Sequence, residues 1–368
     1  MARLSFGSSF TPGQVVGWGK NTAGESSPPP GLNNVVAVAA SGAIHEYNGY
    51  SLALKSDGKV VAWGLDIYGR TNVPAGLSSV VAIAAGNFHG LALRDDGKVV
   101  AWANNSFPQV RGAGWLDGQL VQFPEALNDA AGIAAGWTHS LAVRSNGTVV
   151  AWGYNYYGET WVPAGLSNVL AVAAGRYYSL ALKSDGTVTA WGAQTNVPAG
   201  LTNVVAVAAG YGHSLALKSD GTVVAWGSPA NVPAGLSNVV AIAAGTAFSL
   251  ALRSDGSVLG WGQNDPVQLL GAAALSNTVA IATSGYHDLA IVSALRMKLL
   301  GWSAPNALIG FHTFAGQEYS VEYSPDLSPP SWSELVGGNV QGDGSNALVT
   351  DTNTLNTVKR FYRVKRLR

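Results

Sequence analysis

A tryptophan returns in the same setting seven times along this chain, and that recurrence constrains the fold more than any other feature. It stands at Trp18, Trp63, Trp102, Trp152, Trp191, Trp226 and Trp261, each time after a short Val/Ala/Gly-rich run. A second signature, Gly followed after a few residues by Ser-Leu-Ala-Leu or a close variant, ends at Leu54, Leu93, Val143, Leu182, Leu217, Leu252 and Ile291. Self-similarity at about 35 to 50 residues marks a repeat array, and strand-forming repeats of that size point to a propeller or solenoid. Function is then expected on loops repeated around a ring, because the strands are occupied with packing.

The unit Val204 to Pro233 shows how one repeat folds. Val204 to Ala209 reads as a small-residue strand that ends at Gly210, and a turn carrying Tyr211 and His213 leads into Ser214-Leu215-Ala216-Leu217. Lys218-Ser219-Asp220-Gly221 is a hairpin turn, since Asp-Gly readily supplies the positive φ that such turns need. Thr222 to Trp226 alternates with period two as a third strand. Asn231-Val232-Pro233 reads as a short edge strand, where a proline without a donor is tolerated. Three or four antiparallel strands make one blade. Its Ala-rich first strand lies near the axis, and Leu and Trp fill the gaps between blades.

The fold class expected is all-β: a seven-bladed β-propeller over residues 1–294, with a small β-sandwich-like module over 295–368. The chain begins with a third strand, Val15 to Trp18, while the seventh unit, Asp288 to Ile291, lacks one. Ring closure by the N-terminal strand removes two exposed edges. The rival is that Leu299-Leu300-Gly301-Trp302 supplies the missing strand.

The motif Gly-x-x-His-Ser-Leu-Ala-Leu, then Asp-Gly-x-Val-x-Ala-Trp-Gly, resembles the regulator-of-chromosome-condensation (RCC1-like) propellers over about residues 14 to 292. The short units are most similar to the bacterial branch that includes beta-lactamase inhibitors, with repeats of the type Trp-Gly-x-Asn-x-Tyr-Gly-Gln-Thr-x-Val-Pro. Trp152 to Pro163 and Trp63 to Pro74 follow that frame; the segments after Trp191 and Trp226 have lost most of it. Unit three is enlarged by Asn104 to Glu125, and the first turn by Ala43 to Tyr50. The resemblance implies a propeller used as a protein-binding platform. The alternating, Pro- and Gly-broken pattern from Gly316 to Val364 resembles a small β-sandwich found at the end of secreted or surface bacterial proteins, which implies an extracellular or cell-surface location. Residues Met1 to Phe10 do not read as a signal peptide.

Chemistry is thinly represented. There is no cysteine, so thiolate metal sites and Cys nucleophiles are excluded. Charged residues are 11% of the chain, less than half the usual quarter, and the net charge is zero, which gives nucleic acid no electrostatic hold. No apolar run reaches the roughly 18 residues of a membrane span. His89, His139 and His213 share a repeat position with Tyr178 and Phe248, and His45 and His287 fall near it. A position that takes His, Tyr or Phe asks for a ring rather than a metal ligand. Asp57, Asp96, Asp185, Asp220 and Asp255 precede Gly in hairpin turns, and Asn146 replaces them once, so turn formation explains them. No nucleophile elbow, phosphate loop or zincin motif occurs. A non-enzyme without cofactor or metal is expected, acting as a monomer.

Strand direction places the turn after strand one and the loop after strand three on the same face. That face collects Phe88, Trp137, Tyr177, Tyr178, Tyr211, Phe248 and Tyr286 from the short turns, with Tyr68, Tyr154, Tyr156 and Tyr157 from the longer loops. Tyr and Trp are enriched at interface hot spots, so these residues are the candidate partner-binding set. The expected partner is a protein. A glycan stacked on the same rings is the alternative, with beta-lactamase inhibition or a channel-centred hydrolase or lyase as minor readings.

Overall fold

The structure is a computed structural model. It describes residues 13–41, 49–103, 112–116, 119–123, 126–262, 266–273, 275, 277–292, 297–303, 306–312, 318–324, 333–341, 346–351 and 361–366. His45 and most of the enlarged first turn lie outside the described residues. The backbone divides into two compact units, Met1–Val292 and Ser293–Arg368.

The first unit holds seven three-stranded antiparallel sheets. Blade one pairs Val35–Ser41, Tyr50–Lys55 and Val60–Gly64, and blade two pairs Val80–Ala85, His89–Arg94 and Val99–Ala103. Blade three pairs Ala130–Ala135, His139–Arg144 and Val149–Gly153, and blade four pairs Val169–Ala174, Tyr178–Lys183 and Val188–Gly192. Blade five pairs Val204–Ala209, His213–Lys218 and Val223–Gly227, and blade six pairs Val239–Ala244, Phe248–Arg253 and Val258–Gly262. Blade seven takes its inner and middle strands, Thr278–Thr283 and His287–Val292, from the end of the repeat region. Its outer strand is Gln14–Gly19, with Val16 opposite Ala290 and Trp18 opposite Asp288. The N-terminal strand therefore closes the ring, and Trp302 belongs instead to Met297–Ser303, which pairs with Asn306–His312 in the second unit. Each inner strand lies against the inner strand of the next blade, and the seventh lies against the first.

The packing between blades follows one scheme. Tyr50, Leu52 and Leu54 of blade one meet Val80, Ile83, Ala92 and Trp102 of blade two. The same scheme at the closure brings Val15, Leu289 and Ile291 of blade seven against Val38, Ala53 and Trp63 of blade one. All seven tryptophans are buried in these seams. Every inner strand carries a bulge after its first residue, for instance between Val204 and Ala206, which sequence periodicity did not reveal. Asn231-Val232-Pro233, expected as an edge strand, joins no ladder, so each blade has three strands.

The hairpin turns behave as their sequence implies. Gly97 has φ +77, and a Cβ there would meet the Asn128 carbonyl oxygen at 2.6 Å. Asp185 Oδ1 accepts from the Thr187 backbone N–H at 3.0 Å and from its hydroxyl at 2.6 Å. Asn146 makes the same two bonds to Thr148 at 3.0 and 2.7 Å, so the turn needs an acceptor and not a charge.

A helix, Pro266–Ala273, was not foreseen. It fills the space between blades six and seven: Trp18 Nε1 donates to the Gln268 carbonyl at 3.0 Å. Gly271 is required there because any Cβ would run into the Trp18 ring. In the second unit, Asn346–Asp351 completes a sheet with the two strands around Trp302, and Ser333–Gln341, Glu318–Ser324 and Phe361–Arg366 form another.

Candidate protein-binding face and the belt beneath it

The repeat position shared by His, Tyr and Phe opens each middle strand, and there it ties blade to blade. His89 Nε2 bonds Ser140 Oγ at 2.8 Å, His139 bonds Ser179 at 3.0 Å, His213 bonds Ser249 at 2.9 Å, and His287 bonds Ser51 at 2.8 Å. Tyr178 likewise reaches the next blade, donating its phenol to the His213 carbonyl at 2.6 Å and accepting from Ser214 Oγ at 3.0 Å. Tyr50 donates to the His89 carbonyl at 2.6 Å, beside Gly90, which has no hydroxyl to offer. The sixth seam differs: Phe248 cannot hydrogen-bond, and Asp288 in the partner position accepts from Gln268 Nε2 at 3.1 Å instead. Burial holds the imidazoles neutral, pushing His89, His139 and His287 down to about 3 and His213 to about 4. The same burial pushes the Asp288 carboxyl up to about 7.

This belt corrects two of the expected binding residues. Tyr178 and Phe248 are each 1% exposed and pack between blades, so neither reaches the surface. They occupy the ring position itself; the two residues before it are the ones that rise onto the face.

The remaining candidates come together as follows. Tyr68 lies 6.5 Å from Phe88, and Phe88 lies 6.4 Å from Trp137, measured between ring centroids. Trp137 then meets Tyr177 and Tyr211 edge-on, each at 5.6 Å. Tyr177 extends the cluster to Tyr157 at 4.7 Å and Tyr154 at 6.5 Å, with Tyr156 against both of those. Nine of the eleven expected residues thus lie on the face, and eight of them form one connected set from blade one to blade five. Tyr286 stands apart on blade seven, with the Lys20 ammonium 5.3 Å from its ring. Exposure is highest at Tyr156 (76%) and Tyr68 (61%).

Three residues of this face were missed. Arg176 lies at the centre, its guanidinium carbon 4.1 Å from the Trp137 ring, 4.0 Å from Tyr211 and 4.5 Å from Tyr177. Three such contacts hold the cation at a fixed point, each contributing about 0.5–2 kcal/mol. Trp161, 74% exposed, follows the outer strand of blade three. Asn87 lines the channel mouth beside Arg176, Trp137 and Tyr211. Repeat alignment carried a signal for each. Asn87, Trp137, Arg176 and Tyr211 all directly follow the turn glycine, and Trp161 stands where three other units have Asn72, Asn196 and Asn231. Counting aromatics alone passed over Asn87 and Arg176.

The loops after the outer strands are anchored by their own buried polar residues. The Glu25 carbonyl accepts from Trp63 Nε1 at 2.9 Å and from Ser51 Oγ at 2.8 Å. The Glu159 carbonyl accepts from Trp191 Nε1 and Ser179 Oγ, both at 2.8 Å. The Arg70 carbonyl takes the Trp102 indole at 2.9 Å. Where the loop after Trp191 is shortened, Trp226 Nε1 is left without such an acceptor. Loop anchoring and seam packing therefore share the same tryptophans. Among the described residues, no group of three His, Asp or Glu is placed to hold a metal ion, and no helix is long and apolar enough to cross a membrane.

The profile of the regulator of chromosome condensation (RCC1) repeat matches residues 80–109, 131–159, 169–196, 204–231 and 239–265. No curated protein matches the chain in sequence. Among solved structures, Prp20p of Saccharomyces cerevisiae, described with its binding properties to Gsp1p and histones, superposes with a TM-score of 0.60 at 18% identity. The match covers 78% of this chain and 93% of that one. Human WBSCR16 gives 0.60 at 18% identity, covering 76% of this chain and 100% of that one. The ectodomain of the Arabidopsis thaliana receptor kinase ACR4 gives 0.55 at 22%, covering 72% and 95%. At these identities the likeness is one of fold. Five matched repeats, together with seven three-stranded blades closed by the N-terminal strand, make the first unit of this chain an RCC1-like repeat propeller.

Proposed function

We propose that this chain is a non-catalytic, exported, monomeric propeller that docks a protein partner on its aromatic face, across blades one to five. The observation that carries the reading is the connected set of eight rings around Arg176. Isolated exposed aromatics are ordinary on a protein surface, but a contiguous patch of them is a feature of interaction sites. Tyr and Trp bury a large rigid area at small entropic cost, and Arg adds directional hydrogen bonds. The protein-binding properties described for Prp20p make the scaffold suitable for such a role. Alanine and glycine make up most of the channel lining, and among the described residues it holds no histidine or carboxylate for acid–base work, which disfavours a channel-centred hydrolase or lyase.

Capture from extracts of the source, with Tyr156→Ser plus Trp161→Ser and Trp137→Ala plus Tyr177→Ala as paired controls, tests this reading. Both double variants should lose the retained partner while keeping the wild-type melting profile. Retention unchanged in both would remove the face from consideration. A glycan ligand is the second reading, favoured by the outward-facing rings of Tyr156 and Trp161 and by the near-parallel pair Tyr154–Tyr156, inclined at 16°. Saturable binding on a glycan array, abolished by Tyr156→Ser plus Trp161→Ser, would decide for it.

A further inference from the structure

The channel opens on the aromatic face through a cavity of about 110 Å³, several times the ~10–15 Å³ that one water needs. Trp137, Arg176 and Tyr211 of blades three, four and five line it together with Asn87, Thr246 and Ser41 of blades two, six and one. Arg176 is the one charged side chain among the described residues that line it.

Two polar groups at this rim are built but unused. Asn87 is 3% exposed, and neither its Oδ1 nor its Nδ2 has a hydrogen-bond partner. A buried amide in that state forgoes its bonds to water and gains none in return, so a natural sequence rarely leaves one without reason. Its backbone is not slack: the Asn87 carbonyl accepts from the buried Arg70 guanidinium at 2.7 Å. Arg176 Nε is likewise buried without an acceptor, although three rings cover the guanidinium. Rings over its faces leave the N–H edge as the place where a ligand can bond. They also exclude water, which strengthens any ion pair formed there.

From this geometry we infer that the channel mouth is a carboxylate pocket, which takes an acidic residue presented on a projecting loop of the protein partner. A guanidinium edge and an amide N–H are donors matched to a carboxylate. The free Asn87 Oδ1 is an acceptor matched to a main-chain N–H, which a peptide-borne acidic residue carries and a free small acid does not. The neighbouring rings cover the apolar stem of the incoming residue. This inference rests on the docking reading above and supplies its anchor point.

The test uses the full chain and a single capped residue, N-acetyl-glutamate N-methylamide, followed by NMR at the Arg176 Nε–H and Asn87 side-chain amide signals. Capped glutamine and acetate are the controls. Capped glutamate should shift both signals saturably, and the controls should need far higher concentration. Arg176→Gln should weaken it at least tenfold (about 1.4 kcal/mol). Asn87→Asp, nearly isosteric, should do the same by setting a carboxylate against a carboxylate. Equal saturation by capped glutamine, or unchanged affinity in a folded Arg176→Gln variant, overturns the pocket. Equal saturation by acetate overturns its assignment to a peptide-borne residue. If a partner is retained by the rings but capped glutamate does nothing at the mouth, the docking reading stands and the pocket falls. If capped glutamate saturates the mouth while no partner is retained, the reverse holds.

Discussion

Acidification below about pH 6.5 should destabilise the propeller, and the buried histidines set the magnitude. His89, His139, His213 and His287 are neutral in the fold and at most 1% exposed. Their folded values lie at about 3 to 4, against about 6.5 once unfolded. The unfolded chain is therefore the better proton binder below pH 6.5. Stability is full above that value and falls as the pH drops toward 3 to 4, where the folded imidazoles also begin to protonate. At about pH 5 each histidine has removed on the order of 2 kcal/mol, and the four together about 8. Asp288 works in the opposite direction. Its folded value of about 7 exceeds its unfolded value near 3.9, so acidification from pH 7 to 5 returns about 2–3 kcal/mol. The net loss of about 5 kcal/mol is comparable to the whole stability of many domains.

Urea unfolding followed by tryptophan fluorescence at several pH values between 7.5 and 5 measures this directly. His139→Tyr is the sharpest variant, because the protein already uses Tyr178 at the equivalent place on the next blade. Removing one titrating ring should flatten the dependence by about 1.4 kcal/mol per pH unit between 6 and 4.5. Identical slopes in wild type and variant would refute the belt as the source, and a wild-type stability flat across the range would refute the whole account.

Other consequences follow from the seams. Trp18→Ala should cost about 3–5 kcal/mol in a thermal or urea melt, since it opens the closure between blades six and seven. Gly271→Val should destabilise by forcing the helix off the Trp18 ring, whereas Asn146→Asp should change stability by less than about 0.5 kcal/mol, its turn bonds being shared with Asp185. Asp288→Asn should abolish the loss of stability that Asp288 imposes as pH rises from about 4 to 7, read as the difference between the two pH profiles. Deleting residues 296–368 should leave the propeller transition in place, while deleting 1–19 should remove it, because Gln14–Gly19 is a strand of blade seven.

What the sequence made legible divides along a physical line. Periodic features, the small inner strand, the Ser-Leu-Ala-Leu strand, the Asp-Gly turn and the spare N-terminal strand, each repeat a local rule several times and so could be read. The helix Pro266–Ala273 could not, because it occurs once, where the loop that elsewhere supplies an acceptor to tryptophan is replaced by Gln268. The aromatic face was read in outline, but Tyr178 and Phe248 do not lie on it, since a ring in a turn motif looks the same whether it rises onto the face or folds into a seam.

The distinction lies between blades, where a one-dimensional reading is weakest. Each ring at the head of a middle strand answers to the second residue of the next blade's middle strand: His to Ser at four seams, Tyr178 to Ser214, Tyr50 past Gly90 to a carbonyl, and Phe248 to an Asp288 that has found Gln268. The pairing skips 35 to 51 residues, or 236 where the ring closes, and is visible only once neighbours around the ring are known. It also explains why the face can diversify. Because the belt fixes the end of every turn from below, the two residues before it can change freely, as Asn87-Phe88, Trp137-Thr138, Arg176-Tyr177 and Thr246-Ala247 do, without loosening the seams.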